Sequence, residues 1–329
     1  MSRPLKTRPG LPGRRRGKPG GRRWSDAFFK GLTLLCALLI AVVVIGIFVQ
    51  LVQDSRPSIR AFGPGFLTSS AWNPVTQDYG ALSSIFGTAV STLIAMAIAV
   101  PLAQVIALLL VELAPPGVGR VVGTGIELLA AIPSIIYGMW GFFVLAPIMQ
   151  RHVQPFLGTK LGWIPALGAL FSGPPLGIGM LTAGIILALM VLPFITAVSR
   201  DALAMVPPVL KEAAHGMGST TWEATRRVSL RHCRRGIAGA IFLGLGRAVG
   251  ETMAVTFVIG NANRMSASLF APGNTIASKI AGQFGDADEV LHLSSLMELA
   301  LALFLMSFAF QALAHWWLGR QAKAAGANP

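Results

Sequence analysis

Six stretches of this chain are apolar for long enough to cross a bilayer, and nothing else in the sequence restricts its fold as much. A helix needs about 20 apolar residues to traverse the hydrocarbon core. Residues 28–52, 82–111, 126–148, 176–198, 237–259 and 293–318 all reach that length. Without water to bond to, a backbone in lipid must satisfy its own polar groups, which leaves helices or a closed barrel. Runs this long are helices, so the expected fold class is all-α: a polytopic membrane protein with six transmembrane helices. Residues 163–171 are apolar but too short to cross, and are expected at the interface or as a re-entrant piece. Pro101, Pro133 and Pro193 each remove a backbone hydrogen bond within a span and predict bends. Composition agrees, with 53% hydrophobic and only 12% charged residues, where soluble domains average about 25% charged.

The net charge of +14 does not indicate a nucleic-acid partner, because the basic residues are divided by apolar runs rather than gathered on a soluble face. Ten of the 27 Lys and Arg precede Gly31, in a Gly-, Pro- and Arg-rich start with no apolar period. Residues 1–27 are therefore expected to be a disordered basic tail that holds the first span's near end in the cytoplasm and faces lipid headgroups. Residues 28–52 exceed the roughly 7 to 15 residues of a signal-peptide core and are expected to remain as an anchor. With both termini inside, the cytoplasmic segments hold 20 Lys and Arg and the outer connections six, as the positive-inside rule requires. Residues 82–318 are expected to form the transmembrane domain of a multi-pass membrane protein. Cys36 and Cys233 fall in a lipid span and in a basic loop, so neither a disulfide framework nor a metal cluster is indicated. His215, His232, His292 and His315 lack metal-ligand spacing, so no metal or other cofactor is expected.

Residues 199–236 form a polar loop far longer than two neighbouring helices need. Pro207 and Pro208 open a short helix that Gly218 ends, and Thr220 with Glu223 has the spacing of a capping box that opens a second helix through Trp222 to Leu230. Arg226, Arg227, Arg231, Arg234 and Arg235 would suit DNA binding on a soluble helix-turn-helix, but flanking spans hold this one at the membrane. Two readings remain: basic helices resting on headgroups, or a docking surface for a cytoplasmic partner. The run Glu212-Ala213-Ala214, three residues, Gly218 resembles the EAA loop of ABC importer permeases. That resemblance implies a loop seated in a groove of an ATPase subunit, carrying its closure to the membrane helices. The family pattern continues as Ile-x-Leu-Pro, whereas this chain has Val228, Ser229, Leu230 and Arg231, with arginine in the proline's place. No Gly-x4-Gly-Lys-Ser/Thr phosphate loop occurs in the sequence, so the ATPase is expected on another polypeptide and the chain itself is not expected to be an enzyme.

The fifth span places two charges at membrane depth, Arg247 and Glu251. An unpaired arginine at a helix centre costs about 2.5 to 3.5 kcal/mol on insertion scales. Four residues apart on one helix, the two can pair, although the favoured order is the reverse. Gly246 and Gly250 have the GxxxG spacing that admits a second helix. The pair is either a lock between helices or an anion site, in which the guanidinium fork matches phosphate oxygens while Glu251 orients it and weakens its hold. The run from Gly246 to Thr256, GRAVGETMAVT, is similar to the fifth-span signature of the PstC-type permeases of phosphate-specific ABC importers. Tyr79-Gly80, Ile85-Phe86-Gly87-Thr88, Glu127 through Ser134, Tyr137-Gly138 and Leu145-Ala146-Pro147 extend the resemblance.

It implies a type I (MetI-like) permease fold, phosphate translocation involving Arg247 and Glu251, and coupling through Glu212, Ala213, Ala214 and Gly218. It also implies three partners: a homologous PstA-type permease, a cytoplasmic ATPase dimer and a periplasmic phosphate-binding protein. Arginine alone accepts any tetrahedral oxyanion, so a sulfate or molybdate permease and a non-transporting phosphate-sensing scaffold stand as alternatives. Glu127 and Glu298 are further carboxylates in apolar surroundings, read as sitting near helix ends or lining the same path, and Trp140, Trp316 and Trp317 as interface anchors.

Overall fold

A computed structural model describes residues 22–164 and 167–324 of the chain. Most of the expected basic tail therefore lies outside the described residues. The first helix, α1 (Arg22–Asp54), begins ahead of the apolar run and covers it. The residues from Leu51 onward form a separate compact unit. Two short helices, α2 (Arg56–Phe62) and α3 (Gly65–Thr68), lead to a two-stranded hairpin of β1 (Trp72–Asn73) and β2 (Asp78–Tyr79), with Trp72 opposite Tyr79. Then comes α4 (Leu82–Leu108), extended by a π turn to Leu113. The helix runs on across Pro101, so that proline does not interrupt the span.

Pro133 does interrupt one. α5 (Pro116–Ala130) ends before it, and the chain resumes as α6 (Ser134–Trp140), α7 (Ala146–Ile148) and α8 (Gln154–Leu161), joined by π turns into one rod bent 89° from α5. Pro133 takes extended dihedrals, which the preceding Ala131 and Ile132 accommodate with tightened backbone bonds to Leu128 and Leu129. The polar stretch after the third apolar run is thus helical as far as Leu161. Gln154 is buried and accepts from the Gly177 backbone at 2.9 Å, and the π turn before α8 lets the rod pass Pro155, which has no backbone donor. After α9 (Leu167–Leu170) the chain enters α10 (Met180–Ala204), which like α4 crosses its proline, Pro193, without breaking.

Then α11 (Pro208–Gly216) and α12 (Thr221–Ala224) form the loop helices, and α12 passes through a π turn into α13 (Leu230–Val249). The last elements are α14 (Met253–Val258), α15 (Ile276–Gln283) and α16 (Val290–Ala324). Among the described residues four helices are long and apolar enough to cross a membrane, or five when the bent pair counts as one span. The expected six are not reached because the fifth apolar run stops at Val249 and restarts at Met253, and Arg231, Arg234 and Arg235 lower the hydropathy of α13.

The core sits on α10. Its Ile186, Leu187, Val191 and Ile195 are buried against Ala95, Ala99 and Ala103 of α4. Ser91, Ala95, Ala99, Ala103 and Ala107 recur every four residues and are all buried, a stripe of small side chains that lets two helices close up where lipid gives no hydrophobic drive. α13 packs on the same helix at Gly244, where a Cβ would stand 2.6 Å from Ile195 Cγ1.

Candidate functional site

The charged segment is a break between two helices. α13 ends at Val249, Gly250 caps it, and Glu251 and Thr252 are non-helical before α14 begins. Glycine is a poor helix former, and the β-branched Thr252 adds little to hold the turn together. The two charges then answer different helix ends. Arg247 lies in the last turn of α13, where the helix dipole favours a cation. Glu251 Oε1 accepts from the Ala254 backbone N–H at 3.2 Å, holding an orphan donor of α14 and placing an anion where the dipole favours one.

The expected ion pair between Arg247 and Glu251 is not formed. With the helix unwound at Gly250 they no longer share one face, and the ion pairs among the described residues lie elsewhere. Arg247 is exposed and no hydrogen bond or ion pair within the described residues engages its guanidinium; its charge reaches the half-buried Tyr137 hydroxyl. The sequence marks Tyr137 only through the family resemblance and gives it no role. Its hydroxyl donates to Leu129 O at 2.9 Å across the Pro133 break. Gly138 in the next position lets α14 approach, since a Cβ there would meet Ala254 Cα at 2.9 Å.

The GxxxG spacing does not serve a helix pair within this chain. A Cβ at Gly246 would meet the Gln311 side chain of α16 at 2.8 Å, whereas one at Gly250 would meet nothing closer than the Gly246 carbonyl at 3.8 Å. Glu127 and Glu298 also lie apart from the break. Glu127 accepts from Arg200 Nη2 at 2.6 Å, closing α5 onto the end of α10, with Asp201 as a second acceptor at 2.9 Å. Glu298 is buried beside α2, with Ser58 as its partner.

The loop helices are as the spacing predicts. Gly218 has φ of +87° past the end of α11, a left-handed conformation suited to glycine. Thr220 Oγ1 accepts from Glu223 N at 3.3 Å and Glu223 Oε2 accepts from Thr220 N at 3.0 Å, completing the capping box. These bonds hold the Glu223 carboxyl below its usual range. Glu212, Ala213 and Gly218 are exposed, with Met205, Met217 and Trp222 bare beside them, while Ala214 is buried in the loop's own packing. Lys211 Nζ meets Glu112 Oε1 at 2.9 Å, a link from α11 to the end of α4 that sequence spacing could not reveal. Arg231, where the family has proline, keeps α12 and α13 one helical run; proline would have removed a backbone donor there.

Residues 79–323 match the family described as binding-protein-dependent transport system inner membrane component. The phosphate transport system permease protein PstC of Mesorhizobium japonicum is 51% identical over 296 residues, covering 90% of each chain. The protein of the same name from Haemophilus influenzae is 50% identical over 284 residues, covering 86% of this chain and 90% of its own. Among solved structures, a chain of a bacterial ABC transporter involved in the import of the acidic polysaccharide alginate superposes with a TM-score of 0.52 at 14% identity, over 91% of this chain and 99% of that one. That last likeness speaks to the fold alone.

Proposed function

This chain belongs to the family of binding-protein-dependent transport system inner membrane components and is a permease subunit of a phosphate ABC importer, and from that premise we propose how it moves its anion. It forms half of the translocation pathway, beside a homologous PstA-type permease, with an ATPase dimer on the cytoplasmic side and a phosphate-binding protein outside. Both termini are cytoplasmic in this reading. The single observation that carries it is the exposed Arg247 at the end of α13, unengaged by the carboxylate four residues on.

A guanidinium offers five donors in a planar fork that fits two phosphate oxygens at once. Because Glu251 is occupied with α14, it does not fill that fork. It lowers the local positive potential without occupying the site, so a bound anion is held weakly enough to leave. Non-helical backbone at membrane depth is tolerated where it lines a water-filled cavity, which suits the 250–252 break to a pathway wall.

Coupling runs through Glu212, Ala213, Ala214 and Gly218. ATP-driven closure of the ATPase dimer pulls on the face bearing Glu212 and Trp222. The run from Thr221 to Val249 is helical throughout, about 40 Å at 1.5 Å per residue, so displacement at its start arrives at Arg247. The Lys211 to Glu112 contact carries the same movement into α4. Uptake of radiolabelled phosphate into proteoliposomes holding the complete importer tests the role. Arg247→Gln, assembled at wild-type levels, is expected to lose at least a hundredfold of the rate; full retention overturns it.

A further inference from the structure

Four π turns occur among the described residues, at 109–113, 141–145, 149–153 and 225–229. Each is closed by a backbone N–H that reaches five residues back: Ala114 to Leu109 O, Ala146 to Gly141 O, Gln154 to Met149 O and Leu230 to Thr225 O. Wide turns of this kind are rare, and each needs a cause. For three of them the cause is close by in the chain. Pro115, Pro147 and Pro155 all stand second after the turn's last residue. Proline has no N–H to give, and in an α-helix its ring strikes the carbonyl four residues back; one extra residue in the turn before it moves that carbonyl clear. The fourth turn has Arg231 in the same place. Arginine is a good helix former with an N–H to donate, so nothing in the local sequence requires this turn to be wide.

What holds it wide is packing. Thr225 and Ser229 are buried, and Cys233 Sγ donates to Ser229 O at 2.9 Å. The fit is incomplete, because the buried Ser229 hydroxyl finds no partner. A buried hydroxyl left unpaired favours any rearrangement that brings it one. In an unbroken α-helix a serine hydroxyl reaches the carbonyl four residues back, which here belongs to Thr225.

The two turns nearest the cytoplasmic loop therefore differ, although they border one core. Val111 of the first and Leu230 just after the second pack against the same buried Ala107, Leu203, Val206 and Cys233. The first turn is fixed by Pro115, and Glu112 within it takes Lys211 of α11 at 2.9 Å. The second leads straight from α12 into α13. A pull on the loop thus meets a locked turn through α11 and an unlocked one through α12.

We propose, on the coupling role given above, that the 225–229 turn is a register joint, which closes from π to α as the partner ATPase displaces α12 and reopens on its return. Closing it moves α12 by one residue against α13, about 100° of rotation and about 1.5 Å of advance. α13 is held on α10 at Gly244, where a Cβ would stand 2.6 Å from Ile195 Cγ1, so the rotation falls on α12 and on the exposed Trp222 that it carries. Each backbone N–H in the turn bonds one carbonyl or the next. The joint therefore has two positions and passes the stroke to α13 as a step.

Hydrogen–deuterium exchange read by mass spectrometry on the assembled importer in nanodiscs, nucleotide-free and trapped with ATP and vanadate, tests this. In the wild type the amides of 226–233 are expected to exchange at rates differing at least tenfold between the two states, because changing partners opens the bonds of the turn. Arg231→Pro locks the turn wide, as proline does at the other three, and is expected to abolish that difference while α12 keeps its own response. Deleting Arg226, an exposed residue of the turn, locks the run as α-helix and is expected to abolish the difference too, which covers the case in which Arg231→Pro does not assemble. Equal exchange of 226–233 in both states of the wild type, or a difference undiminished in either variant that assembles, overturns the joint. Where the importer still takes up phosphate, such a result removes the joint alone; a wild type whose α12 is insensitive to nucleotide, or that imports no phosphate, overturns the coupling reading as well.

Discussion

The α4–α10 pair and the α13–α14 segment read alike as apolar runs, yet they are built to opposite ends. α4 and α10 close on each other through a stripe of small residues, and even their prolines are absorbed without a break. α13 and α14 come apart at Gly250, and the charges on either side are held by helix ends rather than by each other. A segment whose partner lies in its own chain can be sealed with alanine. On the reading proposed above, the second meets the transported ion, keeps its charged groups apart with Arg247 exposed, and accepts the backbone break that this requires. Damage to the first region is therefore expected to show as lost folding, and damage to the second as lost transport.

The largest effect is expected at the seal. Gly244→Leu would drive a side chain into Ile195, already 2.6 Å from the place of a Cβ. Overpacking of this kind costs about 1–3 kcal/mol or more, so the purified protein should melt several degrees lower and assemble poorly. An unchanged melting curve would show that α13 does not depend on α10. At the break, Glu251→Gln retains an acceptor for Ala254 but loses the charge, whereas Glu251→Ala loses both. Melting should be near wild type in the first and lower by about 1 kcal/mol in the second, with uptake reduced about tenfold or more in each. Equal melting of the two variants would show that the carboxylate does not cap α14.

The smallest effect is expected at Thr220→Ala, which removes the capping box: about 1 kcal/mol of local helix stability and a modest loss of ATP-coupled uptake, with phosphate binding unaltered.

Much of this was legible in the sequence, for identifiable reasons. Apolar length marks the spans because lipid imposes it, and Thr220, Glu223 and Gly218 mark the loop helices because caps are local. The Ser91 to Ala107 stripe was not legible in the sequence, because other small residues of α4 obscure it until burial singles it out. The features hidden from the sequence depend on distant partners. Arg247 and Glu251 have the spacing of a pair in any unbroken helix; only the unwinding at Gly250 separates them. Pro101 and Pro193 look no different from Pro133 in the sequence, but α4 and α10 run through their prolines while the chain bends by 89° at Pro133. The Lys211 to Glu112 contact joins α11 to the end of α4, a juxtaposition no local pattern announces.

The central claim is that Arg247 and Glu251 act separately, and exchanging them tests it most directly. If they worked as an ion pair, the double variant Arg247→Glu with Glu251→Arg would restore most of the phosphate uptake that Arg247→Glu alone abolishes. The broken helix predicts that the exchange restores nothing, because it would place a carboxylate at the end of α13 and a cation at the start of α14, both against the helix dipoles. Recovery of uptake in the exchanged protein would contradict this account.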